Sequence, residues 1–300
     1  MKKNIYLILF VQLFISCASL EIDITKLESC YAELTYEYKH FPRNAQLEFL
    51  VTDTRGNYYE YRFDLETAVN GRDTITLYGL CPDEPITVSP VLYNKDIKYY
   101  GKHPKYLRHK VFKTKAYSFE LVDLGLSVNW ASHNVGAELP YDAGEFLTWG
   151  YPHGLSSLKR GLTRKGRNLN SSEDAASILW GDGWRTPTVS EMRELLEECT
   201  WQYIRTRNLA LFAVIGPNGN VIHMPMNGVY TWNQYKGVTP NGYLEVIGAF
   251  WTSTSTKDEY GQDCAHILRM TSSPVFSDDR VWMTKSDFDI RYNVRAVKDK

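Results

Sequence analysis

The chain has 300 residues, with 34 Lys+Arg against 35 Asp+Glu and a formal net charge of −1. So even a balance gives no overall electrostatic case for nucleic acid or a charged membrane surface as partner. At 43% hydrophobic and 14% aromatic, the composition excludes a disordered chain and leaves apolar mass for about two domains.

Residues 1–16 read as a signal peptide. Lys2 and Lys3 form a basic start, and Ile5 to Ile15 form an apolar run broken by Gln12, too short to span a bilayer as an ordinary helix. The run ends in Phe14-Ile15-Ser16-Cys17. A small residue followed by Cys after an apolar stretch resembles the bacterial lipobox, which implies cleavage before Cys17 and its acylation; an ordinary secretory cleavage near Ala18-Ser19 is the alternative. Two or three acyl chains, at about 0.8 kcal/mol per buried CH₂, make a stable anchor. The expectation is a lipidated Cys17 with a tether over 17–19, an outer-membrane or cell-surface location with the periplasmic face as alternative, and the membrane as a partner through the lipid. The other cysteines are Cys30, Cys81, Cys199 and Cys264. An exported chain can oxidise, and four cysteines allow three pairings. The domain division favours Cys30 with Cys81 and Cys199 with Cys264, with buried thiols as the alternative.

Residues 20–115 predict an all-β sandwich. Strands are expected at Tyr31–Tyr38, Gln46–Thr52, Tyr58–Phe63, Thr74–Tyr78, Ile86–Tyr93 and Ile97–Tyr100, with a hairpin turn at Asp53-Thr54-Arg55-Gly56-Asn57. Ile75 to Pro82 (ITLYGLCP), leading into Ile86 to Tyr93, then Lys98 to Gly101 and Val111 to Thr114, resembles a fibronectin type III-like domain, whose corner between strands E and F reads Leu-x-Pro. Ile86 stands where that corner usually carries tyrosine. The resemblance places Cys30 at the start of strand B and Cys81 at the corner, near one pole, and implies a spacer role. The stretch from Tyr99 to Lys115 is basic and aromatic; it reads as a solvated last strand with a long loop, or as a contact for an acidic glycan.

All eight tryptophans follow residue 129 and mark a second module, residues 117–298. Thr188 followed by Glu191 predicts a capping box, and Met192, Leu195, Leu196 and Cys199 fall on one helical stripe. A second helix is expected near Glu173–Leu179. Strands are expected at Trp201–Thr206, Leu211–Ile215, Val221–Met224, Phe250–Ser255, Ala265–Met270, Val281–Met283 and Ile290–Val297, with a hairpin turn at Gly216-Pro217-Asn218-Gly219-Asn220. Two helices among many strands is an α+β pattern.

Six ordered blocks carry a resemblance here: Val122 to Ala131 (VDLGLSVNWA) with Asn134 to Ala137, Phe146 to Gly150, Gly183 to Thr188, Gly216 to Asn220, Phe250 to Thr254, and Tyr292 to Val297. They resemble the Fibrobacter succinogenes major paralogous domain, frequent in secreted Bacteroidetes proteins and related to the C-type lectin-like fold of the formylglycine-generating enzymes. His133 stands where many members have Cys. The resemblance implies that Trp130, Trp149, Trp184 and Trp201 serve the core, each burying on the order of 200 Å². It implies a ligand face in the C-terminal strands and loops, where Trp232, Trp251, Tyr260, His266, Arg269 and Trp282 lie; aromatics and Arg are the usual anchors of binding.

No nucleophile elbow, P-loop or His-Glu-x-x-His is present, and the 7 histidines are scattered without zinc spacing. Asp258, Glu259 and Asp263, or Asp278 and Asp279, read as solvated loop charge in preference to a calcium site. The oxidases of the related fold use paired C-terminal cysteines, and Cys264 stands alone in that part. The expected chain is therefore a non-catalytic binding module without metal or cofactor, for a glycan or protein ligand. A structural or fimbria-associated envelope subunit is the alternative, and a divergent enzyme ranks third, since fold alone licenses no activity.

Overall fold

The computed structural model describes residues 18–42, 44–65, 69–94, 104–150, 168–181, 183–206, 209–231, 234–236, 247–272 and 280–300. The chain forms two compact units that divide between Tyr117 and Ser118.

The first unit contains strands β1 (Ser19–Leu27), β2 (Tyr31–Lys39), β3 (Ala45–Asp53), β4 (Tyr58–Leu65), β5 (Gly71–Tyr78), β6 (Pro85–Asn94), β7 (Lys105–Tyr106) and β8 (Lys110–Lys113). They build two antiparallel sheets, β1-β2-β5 and β4-β3-β6-β7, with β8 also paired to β6. Strand alternation makes the sandwich. Ala32, Leu34, Tyr36 and Tyr38 turn inward from β2, and Leu47, Phe49 and Val51 from β3. The Tyr36 and Phe49 rings meet between the sheets, 5.0 Å apart at 63°. The expected turn after β3 is held by Asp53, whose Oδ1 accepts from the amides of Arg55 and Asn57. Gly56 adopts φ +79°, where a side chain would be strained. β1 is an unexpected addition, although Leu20, Ile22 and Ile24 alternate along it. The strand expected at Ile97–Tyr100 lies outside the described residues.

The second unit has β9 (Leu121–Asp123), β10 (Val128–Ala131), β11 (Leu147–Thr148), α1 (Ala175–Trp180), α2 (Val189–Glu198), β12 (Thr200–Arg205), β13 (Ala210–Ile215), β14 (Val221–Pro225), β15 (Val229–Thr231), β16 (Gln234–Lys236), β17 (Ile247–Lys257), β18 (Asp263–Thr271), β19 (Val281–Ser286), β20 (Arg291–Tyr292) and β21 (Val297–Asp299). Both helices begin as their sequences dictate. Asp174 caps α1 by accepting from the Ala176 amide, and Thr188 with Glu191 forms the complete capping box of α2. Arg185 locks that box from outside, gripping the Glu191 carboxylate with both terminal nitrogens at 2.8 and 2.6 Å.

The sheet β17-β18-β19 separates two cores. One face (Phe250, Leu268, Met270) joins Trp130, Met192, Leu195 and Phe212. The other (Trp251, Ala265, Ile267) joins Trp149, Trp184 and Tyr292. The single strand expected over Ile290–Val297 is not formed; β20 and β21 occupy its ends. Its middle bonds a succession of partners: Asn293 O accepts from Trp251 N, Val294 O from Val135 N, and Ala296 O from Ala131 N. A segment that changes neighbour at each step cannot sustain one ladder.

No disulfide joins Cys30, Cys81, Cys199 or Cys264, all buried, so neither expected pairing is made. Cys30 and Cys81 do flank one corner, where Leu80 N donates to Cys30 O at 3.0 Å. Cys199 ends α2 beside Glu194 and Glu198, whereas Cys264 lies among Lys285, Asp258, Asp287 and Asp263. Cys199 packs into the core of Met192, Leu195 and Phe212, whereas Cys264 stands on β18 paired with Thr256 of β17. Burial pushes the thiols of Cys81 and Cys199 up to about 12 and about 11, which suppresses the reactive thiolate.

Candidate functional site

The C-terminal sheet presents two of the six expected ligand residues side by side. Arg269 of β18 pairs with Trp282 of β19, both half-buried. Directly opposed residues on antiparallel strands carry their Cβ atoms roughly 5 Å apart on one face. Strand alternation puts this pair on the face of Ala265 and Ile267, next to Tyr292. The Tyr292 hydroxyl shares a hydrogen bond with Ser286 Oγ at 2.9 Å. Burial holds the Tyr292 phenol above its usual range, partly offset by Ser286 and by the Arg269 guanidinium.

Trp251, His266 and Tyr260 do not join them. Trp251 is in the core at 1% exposure: its indole N–H donates to Leu147 O at 2.7 Å, and its ring supports Tyr292 edge-on at 4.8 Å. It is floor, not contact, because it is packed into the core it shares with Trp149, Ile267 and Tyr292. His266 faces the opposite side of β18, opposite Lys285. Burial lowers its pKa, with further lowering from Arg193 and Lys285. Tyr260, 81% exposed, stands at the β17–β18 turn, beyond Asp263 and about 20 Å of strand from Arg269. That turn is fixed by Asp258, whose Oδ1 accepts from Tyr260 N and Gln262 N. Asp258 thus acts as a turn cap, and among the described residues no cluster of three or more His, Cys, Asp or Glu could hold a metal ion. Trp232 lies outside the described residues, as do Asp278 and Asp279.

The Arg269–Trp282 surface offers guanidinium donors, an indole and two hydroxyls over an aromatic floor. It can stack on a ring and hydrogen-bond a hydroxyl, carbonyl or carboxylate. The residues named on it form no acid–base pair.

Sequence reasoning missed three arrangements. Phe119, His133, Trp180 and Trp184 form an aromatic cluster with ring centroids 4.9–5.6 Å apart. The departure at His133 was its only signal. Arg295 is wholly buried, donating to His223 O (2.7 Å), Asn134 Oδ1 (3.0 Å) and Ala131 O (3.2 Å). In the first unit an open cleft of about 590 Å³ is lined by Glu37, Lys39, His40, Asn70 and Arg72 around buried Tyr38. His40, at φ +58°, is fixed there by donating its amide to Asn70 Oδ1.

No family model matches the chain, and no curated protein matches it. Among solved structures it is similar to the sensor domain of the anti-sigma factor RsgI4 of Pseudobacteroides cellulosolvens. In the longer form of that domain the identity is 10%, over 35% of this chain and 97% of that one, with a TM-score of 0.26. It is also similar to a computer-redesigned β-sandwich protein at 17% identity, over 34% and 94% of the two chains, with a TM-score of 0.25. Likenesses this distant say nothing about activity.

Proposed function

We propose that this chain is an exported, lipid-anchored envelope protein that binds its ligand without catalysis. Cys17 is the acylated residue, and the first unit is a fibronectin type III-like spacer. The second unit is a lectin-like domain of the Fibrobacter major paralogous type, and its ligand is a glycan or protein. The strand order β1-β2-β5 against β4-β3-β6-β7 supports the spacer reading. The observation that carries the binding reading is the half-buried Arg269–Trp282 pair, held on a sheet packed on both faces. Preorganised Arg and aromatic groups bind at low entropic cost. A glycan array and a pull-down with residues 18–300 test it. Binding should fall at least about tenfold in Arg269→Ala and Trp282→Ala, as expected for anchors contributing more than about 1.4 kcal/mol. Undiminished binding in both variants moves the site elsewhere, and no ligand in either assay ends the reading.

A second reading, a structural or fimbria-associated subunit, draws on exposed apolar residues of the second unit: Phe119, Leu121, Ile178 and Leu179. Phe119 meets Trp180 of α1, which gathers Phe119, Ile178 and Leu179 near one helix. Exposed apolar patches mark interaction surfaces. Light scattering discriminates, since this reading requires oligomers and a concentration-independent monomer excludes it.

A further inference from the structure

We propose that the open cleft of the first unit binds a uronate, a sugar ring that carries one carboxylate and several hydroxyls. The site draws on residues of the first unit alone, whereas the binding reading above rests on Arg269 and Trp282 of the second. It gives the first unit a ligand of its own beside the spacer role.

The cleft forms where β2 ends and β5 begins. Glu37 pairs with Arg72 and Tyr38 with Gly71 across the two strands. Past the last pair, His40 N donates to Asn70 Oδ1 at 2.8 Å and Phe41 N to Val69 O at 2.9 Å, which ties the two chain segments together at the mouth. A Cβ at Gly71 would come within 2.4 Å of the Tyr38 hydroxyl, so only glycine lets that hydroxyl lie across the start of β5. The Tyr38 ring is backed by Phe41 and Tyr36, with centroids 5.1 and 6.4 Å away. His40 is exposed, yet its backbone is left-handed at φ +58°, a costly geometry for a residue other than glycine, and it stands on the rim beside Asn70. The volume of about 590 Å³ falls within the range of small-ligand sites, roughly 300–1,000 Å³.

The groups left open in this cleft select the ligand. Among the described residues, the Arg72 guanidinium, the His40 imidazole, Asn70 Nδ2 and the Tyr38 hydroxyl make no hydrogen bond or ion pair. Lys39 Nζ is engaged with Glu37 Oε1 at 2.8 Å. Lys39, with a smaller effect from Arg72, holds the Glu37 carboxyl below its usual range, so Glu37 is an acceptor at neutral pH. Two cations thus share the cleft with one carboxylate, and the surplus suits a monoanion. Glu21 lies across β1 from Glu37, on the side away from Arg72, and does not line the cleft. Arginine matches a carboxylate with two parallel donors. A phosphate dianion would instead bring two charges beside Glu37 with Arg72 alone to balance them. A bare carboxylate would engage Arg72 and leave the other groups to water. Ring hydroxyls both donate and accept, which fits Asn70 Nδ2, the Tyr38 hydroxyl and Glu37 together.

The test titrates the full chain with glucuronate and galacturonate, and with glucose, acetate and inorganic phosphate for comparison. Calorimetry and saturation-transfer NMR read the binding. At least one uronate should bind, and glucose, acetate and phosphate should each bind at least about tenfold more weakly, since a charge-assisted hydrogen bond contributes about tenfold or more. Arg72→Gln, at an exposed position, should weaken the uronate by about tenfold or more. Asn70→Ala should weaken it at least about threefold, and it carries the test if circular dichroism shows that Arg72→Gln is not folded. Arg269→Ala/Trp282→Ala should leave uronate binding unchanged, so a failure of the second-unit site and a failure of this one are told apart. Binding of neither uronate overturns the proposal. So does glucose, acetate or phosphate binding as tightly as the uronates, or uronate binding untouched by Arg72→Gln and Asn70→Ala. Uronate binding lost in Arg269→Ala/Trp282→Ala but kept in Arg72→Gln would move the ligand to the second unit and likewise overturn it.

Discussion

The guanidinium of Arg295 is sealed from water, and its donors hold together three segments of the second unit: Ala131 of β10, Asn134 after it, and His223 of β14. Asn134 passes the connection on, donating to Ala143 O at 3.0 Å. This buried cation has a consequence for pH. Burial, reinforced by Arg295, pushes His223 down to about 3 and His133 down to about 4, with Asp142 partly opposing the shift at His133. Both imidazoles are neutral in the folded state near pH 7. Below 6.5, their ordinary value, the unfolded chain takes up protons that the folded chain refuses. Stability is therefore fully present above pH 6.5 and falls with pH toward about 4 for His133 and about 3 for His223. The fully enclosed His223 contributes up to about 1.4 kcal/mol per pH unit over that interval. Urea midpoints recorded against pH should show this acid limb, made shallower by His223→Gln. A midpoint flat across the interval would contradict the assignment.

Among the elements, α2 was the most legible because its determinants are local. Thr188, Glu191 and the Met192–Leu195–Leu196 stripe fix where it starts and which face it buries. The hairpin strands β3, β4, β13 and β14 were legible for the same reason, each bounded by a turn whose residues state its type. Local signals fail where partners change. Asn293 to Ala296 read as strand, yet each residue bonds a different neighbour. The site was half legible. Arg269 and Trp282 were found as residues, but their pairing depends on strand register, which periodicity does not supply, and Trp251 could not be told from a surface indole without knowing that both faces of its sheet are covered. The local nature of α2 makes its contribution measurable. Thr188→Ala removes the oxygen that accepts from Glu191 N and should cost about 1 kcal/mol, read as a lowered urea midpoint with unchanged slope. Thr188→Ser restores most of it if the hydroxyl is responsible; equal loss in both variants would assign the effect to packing of the threonine methyl.

At the scale of the whole molecule, each unit carries its own means of folding. The first closes its core with Tyr36, Phe41, Leu47, Phe49 and Leu77, all essentially inaccessible, between two sheets whose strands all come from residues 19–113. The second closes two cores around a shared sheet using residues 122–297. A sandwich that completes its sheets within roughly 100 residues buries enough of its surface to fold alone, with a stability of about 5–15 kcal/mol. Residues 18–117 and 118–300, expressed separately, should each unfold in a single cooperative urea transition. Residues 118–300 should also keep any ligand affinity dependent on Arg269 and Trp282 to within about twofold, because the sheet that aligns that pair draws nothing from residues before 118. A non-cooperative transition in either piece would show that its core is completed by the other unit. Loss of ligand binding from a folded 118–300 would place part of the site in the first unit and remove the division of labour between spacer and binding domain.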